Sequence, residues 1–388
     1  MKTDLMIIGS GPGGYETAAY AAAQGLQVVV AEEHLAGGTC LNSGCIPTKA
    51  LVNDAAKAVG DEHVTADHII IATGSTAKLP PLPGLGADGK ALSSHVVTSE
   101  ALLARDTLPE SLCIVGAGVI GMEMASVFAA FGCRVTVVEF LKECLSTMDA
   151  EIARRIRKTM EKRGVKFYLN AGVQRIDGPT VVFQDRKTLK ETALEAECIL
   201  IATGRQPNTA GLGLEAAGVT AGGKGIAVDD NMLTNVPQIY AIGDVNGRQL
   251  LAHAATFQGM RAVNHILGRP DDIRLDIMPA AVFTTPEAAS VGLTEDECKL
   301  RGMTCTTHKA IYRANGRAQA MEETDGLVKL VCDEHDVIIG CHAMGAEASG
   351  MVQEVAALMN FGAPRSRLAA IVHIHPTLHE ILLDAARH

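Results

Sequence analysis

The chain has 388 residues, of which 47% are hydrophobic and 3% aromatic, and its formal net charge is −10. So acidic a chain is poorly suited to nucleic-acid backbones, and no run approaches the roughly 18 apolar residues of a membrane helix. The N-terminus reads as a strand that enters a loop rather than as a signal peptide. We therefore predict a cytoplasmic protein of two or three domains, without nucleic-acid or membrane partners.

The first predicted elements are a strand at Leu5–Ile8, a glycine-rich turn, an alanine-rich helix and a second strand, Val28–Ala31. The turn is Gly9-Ser10-Gly11-Pro12-Gly13-Gly14, and the second strand is followed by Glu32. Glycines in such a turn let the backbone approach a pyrophosphate at the helix N-terminus, and the acid accepts bonds from ribose hydroxyls. This pattern predicts a dinucleotide site.

A pair of cysteines follows this unit, in the run GGTCLNSGCIPTK that ends at Lys49. In a regular helix Cys40 and Cys45 would lie about 7.5 Å apart, whereas a disulfide needs roughly 4.4–6.8 Å between alpha carbons. Gly44 and Pro47 therefore predict a turn at a helix N-terminus, where the helix dipole favours a thiolate. The pattern predicts a redox dithiol; two buried structural cysteines are the alternative.

A second copy of the fingerprint begins after the predicted strand Cys113–Val115. Gly9, Gly11, Gly14 and Glu32 map onto Gly116, Gly118, Gly121 and Glu139 at a constant offset of 107 residues. One such motif is weak evidence, but two copies, each with its acid in register, predict two dinucleotide-binding units. Two glycine-rich turns in unrelated units are the alternative.

The first unit is shorter than the second. Ile70-Ile71-Ala72-Thr73-Gly74 corresponds to Leu200-Ile201-Ala202-Thr203-Gly204, yet 42 residues separate Glu32 from Gly74 and 65 separate Glu139 from Gly204. The first unit therefore has no room for a third parallel strand and its crossover. Either this lobe is shortened near 53–66, or the sequence joins two segments that are not naturally contiguous.

The remaining chain predicts a further strand and then a change of pattern. Asn235–Asp244 reads as an apolar strand that ends in Gly-Asp, where ligands of α/β sheets gather. A helix is predicted from Leu251. Beyond the linker Arg269–Asp272 we predict a separate α+β domain, with strands at 282–284, 327–331 and 337–340 and helices near 349–361 and 366–371.

The last motif is His373-Ile374-His375-Pro376-Thr377-Leu378-His379-Glu380. We predict a helix that begins around Pro376, with Glu380 one turn later. A carboxylate beside an imidazole fixes its tautomer and stabilises its protonated form, so this pair is an acid–base candidate. A metal site of the three histidines and an ordinary exposed helix start are the alternatives.

The other cysteines show no metal-type spacing, and we predict that they are reduced, mostly buried thiols in a chain without a bound metal. They are Cys113, Cys133, Cys144, Cys198, Cys298, Cys305, Cys332 and Cys341.

With these motifs in place, the sequence resembles the FAD-dependent pyridine nucleotide–disulfide oxidoreductases. The resemblance rests on GSGPGG, GGTCLNSGCIPTK, the two ATG segments, YAIGD and HPTLHE, and it is strongest to members that oxidise dihydrolipoyl groups. It implies an α/β fold with two Rossmann-like nucleotide-binding lobes, for FAD and NAD, and a C-terminal α+β dimerisation domain. The implied boundaries are 1–108 with 230–275 for FAD, 109–229 for NAD and 278–388 for the interface domain.

The resemblance also implies which residues bind the cofactors. An acid at 139 favours NAD over NADP, because it would repel a 2′-phosphate. Lys49 would lie beside the flavin and pair with Glu123, and Gly204 would lie near the NAD site. The implied FAD residues are Gly9, Gly11, Pro12, Gly13, Gly14, Glu32, Gly38, Thr39, Lys49, Thr73, Gly74, Ser75, Asp244, Leu251, Ala252 and His253. The implied NAD residues are Gly116, Gly118, Gly121, Glu123, Glu139 and Gly204.

For catalysis the resemblance implies a homodimer with shared active sites. His375, oriented by Glu380, would act on the cysteines of the partner subunit, with Cys40 exchanging with substrate and Cys45 facing the flavin. Electrons would pass from a dithiol, either a small molecule or a lipoyl group on a partner protein, through the two cysteines and FAD to NAD.

Two other functions stay open. One is a different flavin disulfide reductase, similar to glutathione reductase, although such enzymes usually have a basic site for NADP where Glu139 stands. The other is a flavin-free binding or scaffold protein, because the absent third strand would normally line the adenine side of the FAD pocket.

Overall fold

The computed structural model describes residues 1–33, 35–39, 64–85 and 94–388. These residues form two compact units, one of Met1–Lys78 with Gly204–Leu275 and one of Leu79–Thr203 with Asp276–His388. The predicted Cys40, Cys45 and Lys49 lie outside the described residues, as does most of the segment near 53–66. The three-domain boundaries stay a prediction.

The first unit is built on a parallel sheet with two long helices. Its four strands lie in the order Ile239–Ala241, Thr65–Ile71, Lys2–Ile8, Val28–Ala31. Among the described residues, Val28–Ala31 is the edge of this sheet. The helices are Pro12–Ala23 and Ala252–Ile266, and the smaller elements are Ser75–Ala77 paired with Arg205–Pro207, Ala221–Gly222 paired with Gly225–Ile226, and the 3₁₀ turn Gly243–Asn246.

The two helices of the first unit approach closely because small residues face each other. A Cβ on Gly259 would overlap the side chain of Thr17, and a Cβ on Gly13 would lie 2.9 Å from that of Ala255. The four strands are parallel, so their carboxyl ends share one edge of the sheet, and the glycine-rich turn lies there.

The second unit begins with a five-stranded parallel sheet. Its order is Val96–Val97, Cys198–Ile201, Ser111–Val115, Arg134–Val138, Lys166–Tyr168. The register repeats that of the first unit at the predicted offset, since Leu5 pairs with Val28 and Leu112 with Val135. The helices of this part are Ser99–Leu103, Val119–Ala130 and Ala150–Lys162.

A three-stranded antiparallel sheet is inserted before the last strand of the parallel sheet. It consists of Ala171–Asp177, Thr180–Asp185 and Glu191–Glu195. We did not predict this sheet. Together with Lys166–Tyr168, it accounts for the longer interval between Glu139 and Gly204.

The C-terminal part is a five-stranded antiparallel sheet, in agreement with the predicted α+β domain. Its order is Ala280–Val282, Ala288–Gly292, Ile338–Met344, Leu327–Cys332, Thr306–Ile311. Its helices are Glu295–Leu300, Gly316–Ala320, Ala348–Asn360, Arg365–Ala369 and Glu380–Arg387, with a 3₁₀ turn at Tyr312–Ala314.

Three predicted boundaries were wrong. The strand expected at 235–244 is only Ile239–Ala241, because Pro237 lacks an N–H and Gln238 has a φ of +72°. The strand expected at 282–284 ends at Val282, since the Thr284 hydroxyl donates to the Pro286 carbonyl at 2.7 Å and so belongs to a turn.

The helix expected from Pro376 begins instead at Glu380. The Glu380 carboxylate reaches back to accept the Thr377 N–H at 2.9 Å, so the residues after the proline form a turn that leads into the helix.

Candidate active site

The first fingerprint forms a cradle at the carboxyl edge of its sheet. Gly9 has a φ of +104°, and a Cβ on Gly14 would overlap the Gly9 carbonyl oxygen. Gly11 is the N-cap of the helix, Pro12 stands at its first position, and no side chain caps it. The uncapped start of this helix is suited to a pyrophosphate.

The acid of this unit is held against the turn. Glu32 Oε2 accepts the backbone N–H of Ser10 at 2.8 Å and its hydroxyl at 2.6 Å. Ser10, which sequence reasoning missed, thus fixes the carboxylate that is predicted to meet the ribose. The Ser10 hydroxyl also accepts the Gly37 N–H at 3.1 Å, which brings the segment that leads to Thr39 against the same turn.

The second fingerprint repeats this arrangement. Gly116 has a φ of +106°, and a Cβ on Gly121 would overlap the Gly116 carbonyl oxygen. Glu139 is buried, and its Oε2 accepts the Ala117 N–H at 2.5 Å, the counterpart of the Ser10 bond. Its Oε1 accepts the Leu141 N–H at 2.7 Å. Among the described residues, no cation is hydrogen-bonded to Glu139.

Ser75 and Asp244 lie together in the first unit. The Ser75 hydroxyl donates to Asp244 Oδ2 at 2.5 Å and accepts from Arg205 Nε at 2.6 Å. Arg205 Nε also lies 3.8 Å from Asp244 Oδ2. Arg205 was not predicted, although it directly follows the second ATG segment.

Buried amides support the Asp244 turn. Gln258 Oε1 accepts the Gly243 N–H at 2.8 Å and the Asn246 side-chain amide at 2.9 Å. The helix Ala252–Ile266 then begins at the predicted Ala252 and His253, after Leu251 as its N-cap. Thr73, in the first ATG segment, is held by Asn208, whose side-chain amide donates to the Thr73 carbonyl at 2.9 Å.

Gly204 and Glu123 each make a backbone hydrogen bond within the described residues, and their predicted roles stay predictions. Gly204 has a φ of +112°, and its carbonyl accepts the Lys78 N–H at 2.9 Å. Glu123 accepts the Phe283 N–H at 2.8 Å, and burial raises the pKa of its carboxyl. Its predicted partner Lys49 lies outside the described residues.

The histidine motif forms the predicted pair. His375 Nδ1 lies 3.0 Å from Glu380 Oε1 and 3.2 Å from Oε2. The Thr377 N–H and then His375 lower the pKa of Glu380, so its carboxylate is ionised at neutral pH. The His375 side chain is 81% exposed within the single chain and therefore accessible to another molecule.

The other two histidines are engaged elsewhere. Glu354, which was not predicted, bonds His373 Nε2 at 2.9 Å and His379 Nδ1 at 3.0 Å, one with each carboxylate oxygen. The three rings therefore have two different carboxylate partners, an arrangement that favours the acid–base interpretation over the three-histidine metal site.

The eight cysteines outside the predicted dithiol are mostly buried, as the sequence predicts. All eight are free thiols, and only Cys305 is not buried. Burial raises the pKa of Cys113 to about 12, which makes it unreactive at neutral pH.

Comparison with known proteins places these features in one family. The model of the pyridine nucleotide-disulphide oxidoreductases matches residues 3–60 and 52–259, and the model of their dimerisation domain matches residues 278–386. The chain belongs to this family. Its members are FAD-dependent oxidoreductases that also bind NAD or NADP.

Individual relatives agree. The chain is 34% identical to dihydrolipoyl dehydrogenase of Pisum sativum, over 99% of this chain and 91% of the relative, and 34% identical to that of Bacillus subtilis (strain 168), over 100% and 96%. Among solved structures, the Cu(II) complex of the HOCl-induced flavoprotein disulfide reductase RclA from Escherichia coli has a TM-score of 0.87 and 29% identity. That match covers 100% of this chain and 99% of that chain.

The alignments also show how much shorter this chain is. The match to the Pisum sativum enzyme runs over 461 positions although the chain has 388 residues, so at least 73 positions lack a counterpart here. The match to the first family model is split into two segments, residues 3–60 and 52–259, which overlap at 52–60. This is where the sequence predicts that the first lobe is shortened.

Proposed function

We propose that the protein is a dihydrolipoamide dehydrogenase, which oxidises a dihydrolipoyl dithiol and reduces NAD. The observation that carries the proposal is the His375–Glu380 pair, with 3.0 Å between Nδ1 and Oε1 on an exposed turn. Oxidation of a dithiol must begin with removal of a thiol proton, and an accessible imidazole held by an ionised carboxylate is suited to that role.

The chain's residues have separate tasks. His375 takes a proton from one substrate thiol, and the resulting thiolate attacks the Cys40 sulfur of a Cys40–Cys45 disulfide, which releases the Cys45 thiolate. The second substrate thiol then attacks the mixed disulfide, so the substrate leaves as a cyclic disulfide and both cysteines are reduced. FAD, when bound, would accept the two electrons from this dithiol and supply them as hydride to NAD.

The structure of the two cradles supports the cofactor assignment. The Gly9–Gly14 turn, Glu32, Ser75 and Asp244 fit FAD, because the glycines leave room for a pyrophosphate and the acids face the same sheet edge. The Gly116–Gly121 turn and Glu139 fit NAD. The match of residues 278–386 to the dimerisation-domain model further supports a homodimer, in which His375 would serve the cysteines of the second subunit.

The direct test is an anaerobic assay with dihydrolipoamide and either NAD or NADP. We expect NADH formation with dihydrolipoamide, at least tenfold slower turnover with NADP, and none when reduced glutathione, a monothiol, replaces dihydrolipoamide as the electron donor. Loss of NADH formation in protein loaded with FAD would overturn the proposal. Preference for NADP and glutathione would instead support the glutathione-reductase-like alternative.

The short interval between Glu32 and Gly74, together with the positions of the relative that lack a counterpart here, favours a second candidate, a flavin-free binding protein. A protein that stays colourless after incubation with FAD, yet binds a lipoyl-bearing protein, would support this candidate. Visible flavin absorbance that survives gel filtration would reject it.

A further inference from the structure

Three side chains of the C-terminal antiparallel sheet bring different metal-ligating atoms together. One ring nitrogen of His308, the Cys332 sulfur and a carboxylate oxygen of Asp336 all lie within 4.8 Å of one another. His308 belongs to the strand Thr306–Ile311, Cys332 ends the neighbouring strand and Asp336 lies in the turn that follows. None of these residues belongs to the candidate active site.

Strand pairing explains the cluster. Thr306 pairs with Cys332, so His308, two residues further along the same strand, projects from the same face of the sheet. The turn after Cys332 closes with a bond from the Asp336 N–H to the Asp333 carbonyl at 3.1 Å, and Asp336 has a φ of +61°. Because the donors come from three elements, their spacing of 24 and 4 residues gave no metal signal in the sequence.

The donor set favours zinc. One imidazole, one thiolate and one carboxylate are common zinc ligands, with bond lengths of about 2.0–2.3 Å in a tetrahedral site. Such lengths place the donor atoms roughly 3.3–3.8 Å apart, so side-chain rotations that shorten the present separations by about 1 Å would complete the geometry. Cys332 is fully buried, whereas His308 and Asp336 are half-buried, so an ion can reach the cluster from solvent.

Arg365 lies outside the cluster and contacts one of its three side chains, Asp336. Its Nε donates to Asp336 Oδ1 at 2.9 Å. A carboxylate has two oxygens and about four acceptor sites, so this bond leaves capacity for a metal, and ligating carboxylates are commonly oriented by such partners. Zinc with one thiolate and one carboxylate is neutral, so its binding adds no net repulsion toward the guanidinium.

We propose that His308, Cys332 and Asp336 bind one zinc ion, with a fourth position open to water. The ion links the edge strand Thr306–Ile311 to the neighbouring strand and its turn. It therefore stabilises the C-terminal domain by mass action and takes no part in electron transfer.

The test uses full-length protein in which Cys40 and Cys45 are both replaced by serine, so that the redox dithiol cannot bind zinc. Titration with zinc chloride, followed by calorimetry, is expected to give one bound equivalent and a rise in Tm. Cys332→Ser and His308→Ala each remove a proposed ligand, so each is expected to weaken binding by at least the roughly 10–100-fold that loss of an orienting partner costs. Cys341→Ser, a fully buried cysteine of the same sheet, is the matched control and is expected to keep the site.

His308→Ala keeps the test valid if Cys332→Ser fails to fold, because His308 is only half-buried. Absence of zinc binding in the Cys40/Cys45 double variant would overturn the proposal. Zinc binding by Cys332→Ser and His308→Ala that is as tight as in the Cys40/Cys45 double variant would also overturn it. Loss of binding in Cys305→Ser alone would overturn it as well, because the ion would then belong to the contacting pair Cys298 and Cys305.

Discussion

At the scale of single residues, the pair His375–Glu380 is the proposed source of acid–base chemistry. Glu380 accepts the Thr377 N–H at 2.9 Å while it bonds His375 Nδ1, so one carboxylate both orders the turn and orients the ring. With Nδ1 facing the carboxylate, Nε2 is the nitrogen available to a substrate. The sequence motif predicted this pair, but not the Glu354 contacts that fix the neighbouring histidines, because Glu354 lies on a different helix.

Replacing His375 removes the proposed base. We expect His375→Gln to lower kcat with dihydrolipoamide by about 10²–10⁴-fold, with unchanged FAD content, because the ring is exposed and supports no core packing. Steady-state kinetics would measure the loss. His335→Gln, an equally exposed histidine on a turn of the same domain, is the control and should retain full activity. A threefold effect or less in His375→Gln would contradict the assignment.

Glu380 predicts a pH dependence of stability. Its pKa is lower in the folded protein than the ordinary value of 4.5, first through the Thr377 N–H and then through His375. A lowered carboxyl pKa stabilises the folded state above the unfolded value, and this contribution disappears as the pH falls through the folded value. We expect Glu380→Gln to have a lower urea midpoint than the parent at pH 7 and a smaller difference at pH 4. A difference that grows on acidification would contradict this explanation.

At the scale of elements, the glycine-rich turns of the two nucleotide-binding units were predictable from the sequence. Glycine spacing and a terminal acid predicted both cradles, because their backbone geometry depends on local residue type. The bond from Ser10 to Glu32 and its counterpart from Ala117 to Glu139 follow from that geometry. The inserted antiparallel sheet could not be predicted in this way, because its strands are half exposed and its pairing depends on turns such as that at Gly178.

A buried cation connects elements of the second unit. Lys329, 2% exposed, donates to both oxygens of Asp149 at 3.0 and 2.8 Å and to Glu295 at 2.9 Å. Asp149 in turn caps the helix Ala150–Lys162. The acids outweigh the effect of burial and raise the pKa of Lys329, so its ammonium is charged at neutral pH.

Replacing Lys329 with an uncharged residue is expected to destabilise the folded protein. Lys329→Met should lower the free energy of unfolding by about 3–5 kcal/mol, because it leaves Asp149, Glu151 and Glu295 without their buried partner. Urea denaturation would measure the loss. Lys309→Met, which breaks the more exposed pair with Glu151, is the control and should cost about 1 kcal/mol or less. Similar losses of unfolding free energy in Lys329→Met and Lys309→Met would contradict this prediction, because burial would then not determine how much each ion pair stabilises the fold.

At the scale of the whole molecule, the C-terminal domain exposes several large apolar side chains, two of which flank His373 in the sequence. Phe361, Val372 and Ile374 are 87%, 94% and 79% exposed in the single chain. Such residues are costly to leave in water when they lie together and are typical of an interface. The match of residues 278–386 to the dimerisation-domain model agrees with that interpretation.

We therefore expect Val372→Asp to convert a dimer to a monomer and to abolish turnover, since His375 would lose the partner's cysteines. Sedimentation velocity and the NADH assay would measure the two effects. Leu300→Asp, a similarly exposed leucine of the same domain, should remain dimeric and active. An active monomer in Val372→Asp would contradict the shared active site.

The described chain has no helix that is both long and apolar enough to cross a bilayer. The shorter length of this chain is the feature of the whole molecule that bears most on function, because at least 73 positions of the Pisum sativum enzyme lack a counterpart. The cradle at Gly9–Gly14 and the carboxylates of Glu32 and Asp244 are nevertheless in place.

The most direct test of the electron route is an anaerobic visible absorption spectrum of FAD-loaded protein, before and after dihydrolipoamide. The proposed route predicts a flavin band that is bleached by dihydrolipoamide and restored by NAD, and that does not respond to dihydrolipoamide in Cys45→Ser. A protein that retains no flavin, or whose flavin band is unchanged by the dithiol, would contradict the route.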